Sequence, residues 1–281
     1  MTETDRSRAC RTGAEPANRL VRTAWLVLFL LGLSAPVVSS ARAEPNDQEK
    51  TIDDILTRLE KRSEGLKDIR CNVRFVEKDK INLTTRIKYG DILFLITEPN
   101  PQFKIHFDKT EVDGVLGQQE WYLFDGRWFY QALERIKQVT KQEIARVGEK
   151  REMFDLEKAP FPLPFGQKKE TILRNFDVTL VPPVDGDPPN SDHLVCIPKP
   201  TSTLRKKYDK LELFLLRDVH LPGRIVVTKN QGYEINTADF VGLSLKSINT
   251  GVTRKDFAVP KQWRNYEEVV ERLSDPPHST P

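Results

Sequence analysis

The stretch Trp121-Tyr-Leu-Phe-Asp-Gly-Arg-Trp-Phe-Tyr130 restricts the fold of this chain more than any other. Two aromatic runs flank Asp125-Gly126. That pattern predicts a β-hairpin with a two-residue turn, because Asp-Gly supplies the positive φ angles a type I′ turn needs. With such a turn Phe124 pairs with Arg127, Leu123 with Trp128, Tyr122 with Phe129 and Trp121 with Tyr130. Side chains alternate faces along a strand. Trp121, Leu123, Trp128 and Tyr130 therefore share one face, and Tyr122, Phe124, Arg127 and Phe129 share the other. Both faces are largely apolar, whereas an ordinary antiparallel sheet leaves one face wet and polar. Each face of this hairpin is expected to be covered or to look into a cavity.

The N-terminus has the layout of a secretory leader. Arg19 and Arg22 precede the apolar run 24–33, and small residues follow to Ala41-Arg42-Ala43. A charged region, a short apolar region and an A-x-A site predict export with cleavage after Ala43. The apolar run is too short for a membrane span and is followed by Pro36. Removing the leader's six Lys/Arg and three Asp/Glu from the 44 and 41 of the whole chain leaves 38 of each in residues 44–281. The remaining chain is thus near neutral, so the basic balance of the whole chain is no argument for a nucleic-acid partner or anionic lipid, and no nucleic-acid partner is expected. Cys71 and Cys196 remain after the leader. In an exported chain they either pair as a disulfide or sit as two small buried hydrophobes.

Residues 44–50 read as a polar linker. Thr51 reads as an N-cap, and Ile52, Ile55, Leu56, Leu59 and Leu66 follow at helical spacing to a stop at Gly65. Strand patterns take over. Ile69, Cys71, Val73 and Phe75 alternate with polar residues, Ile92 to Ile96 is apolar on both faces, and Phe103, Ile105 and Phe107 alternate again. After the aromatic hairpin comes a more polar extended run, 135–144. Pro160, Pro162 and Pro164 then exclude a central strand or a helix interior. Phe161, Leu163 and Phe165 between and beside them are too apolar for a free loop, so an extended arm laid on an apolar surface is expected. A short helix over 168–175 follows, then strands near 177–181, 192–197, 211–216, 224–228 and 233–240. Trp263, Tyr266, Val269, Val270 and Leu273 have the spacing of a short amphipathic helix. Residues 274–281 read as a frayed, disordered tail.

These elements predict an α+β, mainly antiparallel fold of about ten strands. It forms a strongly curved, half-open β-barrel over residues 51–273, with the N-terminal helix and the apolar arm covering its concave face. The order of motifs resembles that of LolA, the periplasmic lipoprotein carrier, and its relatives. The helix leads into Phe75. Gly90-Asp91-Ile92 heads a strand ending at Pro99, with Phe103 just beyond. Asp125-Gly126 with Trp128-Phe-Tyr130, Lys137-Gln138-Val139, Cys196-Ile-Pro-Lys199 and the Asn249…Phe257…Pro260 ending resemble family motifs in the same order. The 160–166 arm also resembles a secreted LolA-like domain family of planctomycete bacteria. One position departs from the carriers. Where they place an Arg before the Pro after the second strand, this chain has Glu98.

No catalytic pattern stands out, and no enzyme activity is expected. His106, His193, His220 and His278 are scattered, without metal-ligand spacing, and read as surface or turn residues. No GxSxG elbow or phosphate loop occurs, and no cofactor is expected. The functional signal is the surplus of apolar side chains. Ile92, Phe94, Ile96, Phe103, Ile105, Phe107, Trp121, Leu123, Trp128 and Tyr130, with Phe161, Leu163 and Phe165 of the arm, are the candidates to line a hydrophobic cavity. They either do so or form a packed core. The resemblance implies a monomeric periplasmic or cell-envelope protein that binds or carries a lipid, lipoprotein acyl chains or another hydrophobic ligand. The other reading is a protein-interaction or sensor domain of the RseB type, with a filled core and an envelope protein as partner.

Overall fold

The structure is a computed structural model that describes residues 45–151 and 165–273. The expected leader over 1–43, Phe161 and Leu163 of the arm, and the 274–281 tail lie outside the described residues. Helix α1 (Pro45–Glu64) opens the chain. It is followed by β1 (Asp68–Asp79), β2 (Thr84–Leu95), β3 (Gln102–Val112), β4 (Val115–Leu116), β5 (Glu120–Phe124), β6 (Trp128–Leu133) and β7 (Gln138–Glu143). Helix α2 (Lys169–Asn175) precedes β8 (Phe176–Val181), β9 (Ser191–Pro198), β10 (Lys210–Leu216), β11 (Pro222–Lys229), β12 (Glu234–Val241) and β13 (Glu267–Glu271). One sheet takes all thirteen strands in the order β13-β7-β6-β5-β3-β2-β1-β12-β11-β10-β9-β8, with β4 beside β3. Every pairing is antiparallel except β13 with β7. The two end strands do not meet, so the curved sheet stays open.

Alternation sorts each strand between two faces. Across the middle of the sheet, Phe75 pairs with Lys88 and Ala238, Ala238 with Ile225, Ile225 with Leu213 and Leu213 with Leu194. This row and its neighbours on the same face converge with Ile52, Ile55, Leu56 and Leu59 of α1 and Ile172 of α2 in one buried cluster. That convergence is the concave side. The helix starts at Pro45, six residues before Thr51, so most of the expected 44–50 linker is helical. Proline is well placed there, because its fixed φ suits the first helical turn and its missing N–H has no partner at that position anyway.

The opposite face carries a second core. Leu93, Trp121, Leu123, Tyr130, Ala132 and Val139 pack there against Val252, Phe257 and Trp263 of the C-terminal segment. The expected helix over 263–273 is absent. Lys261–Asn265 is a 3-10 turn, and Glu267–Glu271 adds to the sheet, Glu267 pairing with Gln138. The open edge of β7 offers unpaired backbone groups, and Val269 and Val270 suit a strand better than a helix.

The hairpin forms with a different register. Phe124 pairs with Phe129, Leu123 with Tyr130, Tyr122 with Gln131 and Trp121 with Ala132. The Asp125 carboxylate causes the change. Its Oδ1 accepts from the N–H groups of Arg127 (2.9 Å) and Trp128 (2.7 Å), and the Asp125 N–H donates to the Trp128 carbonyl (3.1 Å), closing a longer loop. The register moves by two residues, and strand side chains repeat every two. The partners change while the sorting of side chains between faces survives.

Candidate functional site

A cavity of about 410 Å³ opens on the concave face. That is within the roughly 300–1,000 Å³ typical of small-molecule sites. Strand alternation builds its floor: Val73 and Phe75 of β1, Ala238 and Phe240 of β12, Ile225 and Val227 of β11, and Leu211 and Leu213 of β10. Ile92 of β2, Ile105 and Phe107 of β3 and Tyr122 of β5 form one wall; Ile172 of α2, Phe176, Gln167 and Tyr208 complete the enclosure. Phe107 stands edge-on to Tyr122, with ring centres 6.0 Å apart at 81°. Helix α1 and Phe165 fill the rest of the concave side. Phe165 lies against Phe94 (5.7 Å) and Phe240 (5.1 Å).

One end of this apolar chamber is polar. Lys88 lies beside Phe75 on the inner face, and its side chain is 4 % exposed. Its Nζ donates to Glu120 Oε2 (2.8 Å), sits 3.4 Å from Glu77 Oε2, and stands over the rings of Phe107 and Tyr122. The Tyr122 hydroxyl donates to the same Glu120 oxygen at 2.9 Å. Arg86 Nη1 reaches Glu77 Oε2 at 3.5 Å from the more exposed side. Burial pushes the Lys88 ammonium downward. The surrounding Tyr122, Glu120 and Glu77 outweigh that, so Lys88 is held above the ordinary lysine range and stays charged. Burial, the larger effect, raises the Tyr122 phenol, with Lys88 opposing it.

The residues singled out from the sequence divide into groups. Ile92, Ile105 and Phe107 line the cavity. Phe94, Phe103 and Phe165 are buried in the concave core beside it, and Ile96 packs on the edge of that core. Trp121, Leu123, Trp128 and Tyr130 do not face the cavity. They belong to the core on the opposite face, where Trp263 covers Trp121 (ring centres 6.3 Å) and Tyr130 (6.1 Å). The cover expected from the N-terminal helix and the arm is therefore supplied, on this face, by the C-terminal segment. The hairpin residue that does reach the cavity is Tyr122, from the other face.

Cys71 and Cys196 are both free and buried, which corrects the disulfide option. Strands β12, β11 and β10 lie between β1 and β9. Four strand spacings of about 4.8 Å separate the two cysteines across the sheet, and the register sets Cys196 level with Glu77, six residues along β1 from Cys71, so they lie beyond bonding reach. His193 is also corrected. It is 8 % exposed, not a surface residue, and its ring stacks on Phe214 at 4.0 Å. The 182–190 loop folds back over it, bringing Asp187 to 3.7 Å, while Glu212 approaches at 3.3 Å. His106 lies on the convex face, stacked on Trp121 at 4.8 Å. Glu98 is exposed, beside Lys150 at 3.1 Å, and does not line the cavity. Among the described residues no group of three His, Cys, Asp or Glu is placed to hold a metal ion.

Sequence reading missed the β10–β12 floor and the polar end. A partial signal existed for the latter. The inward row Ile69, Cys71, Val73, Phe75 continues at the same period to Glu77, placing a carboxylate on the face that should be apolar. The floor had no such marker, because nothing local tells which face of β10 to β12 turns inward.

No protein-family model matches this chain, and no curated protein sequence does either. Solved structures with a similar course of the chain include a conserved protein of Thermus thermophilus, at 15% identity and a TM-score of 0.44, covering 79% of this chain and 99% of that one. The MucA/MucB complex of Pseudomonas aeruginosa matches at 14% identity and a TM-score of 0.39; the aligned region covers 75% of this chain and 62% of that one. A LolA superfamily protein of Nitrosomonas europaea matches at 11% identity and a TM-score of 0.32, over 74% of this chain and 97% of that one.

Proposed function

We propose that this chain is an exported, non-enzymatic protein of the cell envelope that binds or carries a hydrophobic ligand, a lipid or the acyl chains of a lipoprotein, in the concave cavity. The observation that carries this reading is the cavity itself. Apolar and aromatic side chains from eight strands and α2 surround about 410 Å³ of space beside the buried Lys88. A packed core of this size would leave no such volume, since protein interiors close to crystal-like density. Acyl chains moved there from water gain about 0.8 kcal/mol per buried CH₂. The leader-like residues 1–43 supply the export signal in this reading. Two measurements test it: native mass spectrometry of the protein purified from envelope extract, and titration with the neutral apolar fluorophore N-phenyl-1-naphthylamine. Lipid-mass adducts and micromolar probe binding are expected. Bare protein together with no probe binding would sink the proposal.

A second reading, an interaction domain for an envelope protein, draws on a different observation. Ile81, Leu83, Val115 and Leu116 are more than 60 % exposed at the ends of neighbouring strand connections. The Thr85 N–H donates to Asp113 Oδ1 at 2.7 Å, holding those two connections together. Co-purification of one defined envelope protein, lost when Leu83 and Leu116 are changed to Ser, would favour it.

A further inference from the structure

A buried lysine in an apolar cavity first suggests a seat for an anionic headgroup, as in a fatty-acid site. The surroundings of Lys88 argue the opposite. Glu77 and Lys88 are the charged residues that line the cavity among the described residues, and Glu120 and Arg86 are bonded to them. Lys88 is already met by Glu120 at 2.8 Å and Glu77 at 3.4 Å, and Arg86 by Glu77 at 3.5 Å. The quartet thus holds two cations against two carboxylates. A ligand carboxylate or phosphate entering here would add a third negative charge beside Lys88, whose side chain is 4 % exposed, and no further cation lines the cavity among the described residues, Lys229 over the Tyr208 ring not being among its lining residues. An ammonium would add a third positive charge in the same way. Burying an unmatched charge is costly.

A neutral head meets no such barrier. Asn236 pairs with Glu77 across the β1–β12 ladder and lines the cavity at this end. It presents an uncharged donor and acceptor, and its amide makes no side-chain hydrogen bond with the described residues. A hydroxyl, ester or amide group can use both. We infer that, within the ligand-binding role proposed above, the cavity selects amphiphiles with an uncharged hydroxyl-, ester- or amide-bearing head, seated at Asn236 beside the self-neutralised Lys88–Glu120–Glu77–Arg86 quartet, and discriminates against ionised heads on the same chain.

The test uses the full purified chain loaded with N-phenyl-1-naphthylamine and three displacing ligands of equal chain length at pH 7.5: 1-decanoylglycerol, decanoate and decylamine. The native chain is expected to release the probe to 1-decanoylglycerol at a midpoint at least tenfold below those of the other two. Glu120→Gln leaves one cation in surplus and is expected to improve decanoate at least fivefold relative to decanoylglycerol. Asn236→Leu, which changes no charge, provides an independent check should that variant not fold. It is expected to cut the preference for decanoylglycerol over decanoate at least threefold. Decanoate or decylamine displacing as well as the glycerol ester from the native chain overturns the inference while leaving the binding role intact. Failure of the probe to bind, together with lipid-free protein by native mass spectrometry, removes the binding role and the inference with it, whereas a bound probe that none of the three ligands displaces overturns the inference alone.

Discussion

At Gly90 a single methyl group decides whether two strands can meet. A Cβ there would stand 1.9 Å from the carbonyl oxygen of His106. The register between β2 and β3 shifts at this point, Tyr89 pairing with Lys109 but Gly90 with Phe107. The extra residue, Asp108, is on β3, so the bulge puts Phe107 and Thr110 on the same side, while Lys88 and Ile92 share a face by plain alternation along β2. Gly90→Ala should therefore destabilise the protein by about 3 kcal/mol. Urea unfolding reads the change, and an unchanged midpoint would refute the close-approach argument. Cys71 and Cys196 yield a second residue-scale expectation. Burial raises each thiol to about 12, with Glu212 adding to the rise at Cys196. Neither should react with Ellman's reagent at pH 8 in the native protein, and both should react once guanidinium unfolds it, without reductant. Thiols that stay unreactive in guanidinium until reduced would mean that the cysteines pair after all.

At the scale of elements, the C-terminal segment is the least expected part of the fold. It crosses the convex face and is pinned at its start. The buried Asp68 carboxylate accepts from the Thr250 N–H (2.6 Å), the Thr250 hydroxyl (2.7 Å) and the Gly251 N–H (3.1 Å). Asn249 Oδ1 accepts from the Lys67 N–H at 2.7 Å, and its Nδ2 donates to the Gly65 carbonyl at 3.1 Å. These bonds give the Asn249…Phe257…Pro260 ending a structural reason. Asn249 closes the turn onto β1, and Phe257 drops into the second core. Trp263 is 6 % exposed and caps Trp121 and Tyr130. Trp263→Ala should cost about 3–5 kcal/mol. It should also red-shift the remaining tryptophan fluorescence as Trp121 gains water. A variant as stable as the parent would show that the segment does not cover the hairpin in solution.

At the scale of the whole molecule, function rests on space that the sheet's curvature leaves open. Ala238 is at the middle of the cavity floor, between Phe75 on β1 and Ile225 on β11. A larger side chain there fills the chamber without crossing any strand pairing. Ala238→Trp should weaken N-phenyl-1-naphthylamine at least tenfold while circular dichroism and Tm stay near those of the parent. Retained probe binding with a native Tm would place the ligand elsewhere, the exposed Ile81, Leu83, Val115 and Leu116 being the next surface to examine.

Local features were legible in the order of residues along the chain. Period-two alternation located the main strands and helical spacing located α1, while the same spacing over 263–273 marked a helix where β13 forms. Alternation also sorted the hairpin correctly between faces, although Asp125 moved its partners by two residues. The surplus of apolar side chains marked Ile92, Ile105 and Phe107 as candidates, and these three line the cavity. The tertiary structure decided which apolar face turns inward. That choice depends on the direction in which a long sheet bends and on what distant segment covers each side. A chain reading cannot register either, since both faces of Trp121–Tyr130 are equally apolar. So Trp121, Leu123, Trp128 and Tyr130 went under the C-terminal segment. Tyr122 went to the cavity, and the charge balance around Lys88 emerged only when β1, β2 and β5 brought Glu77, Arg86 and Glu120 together.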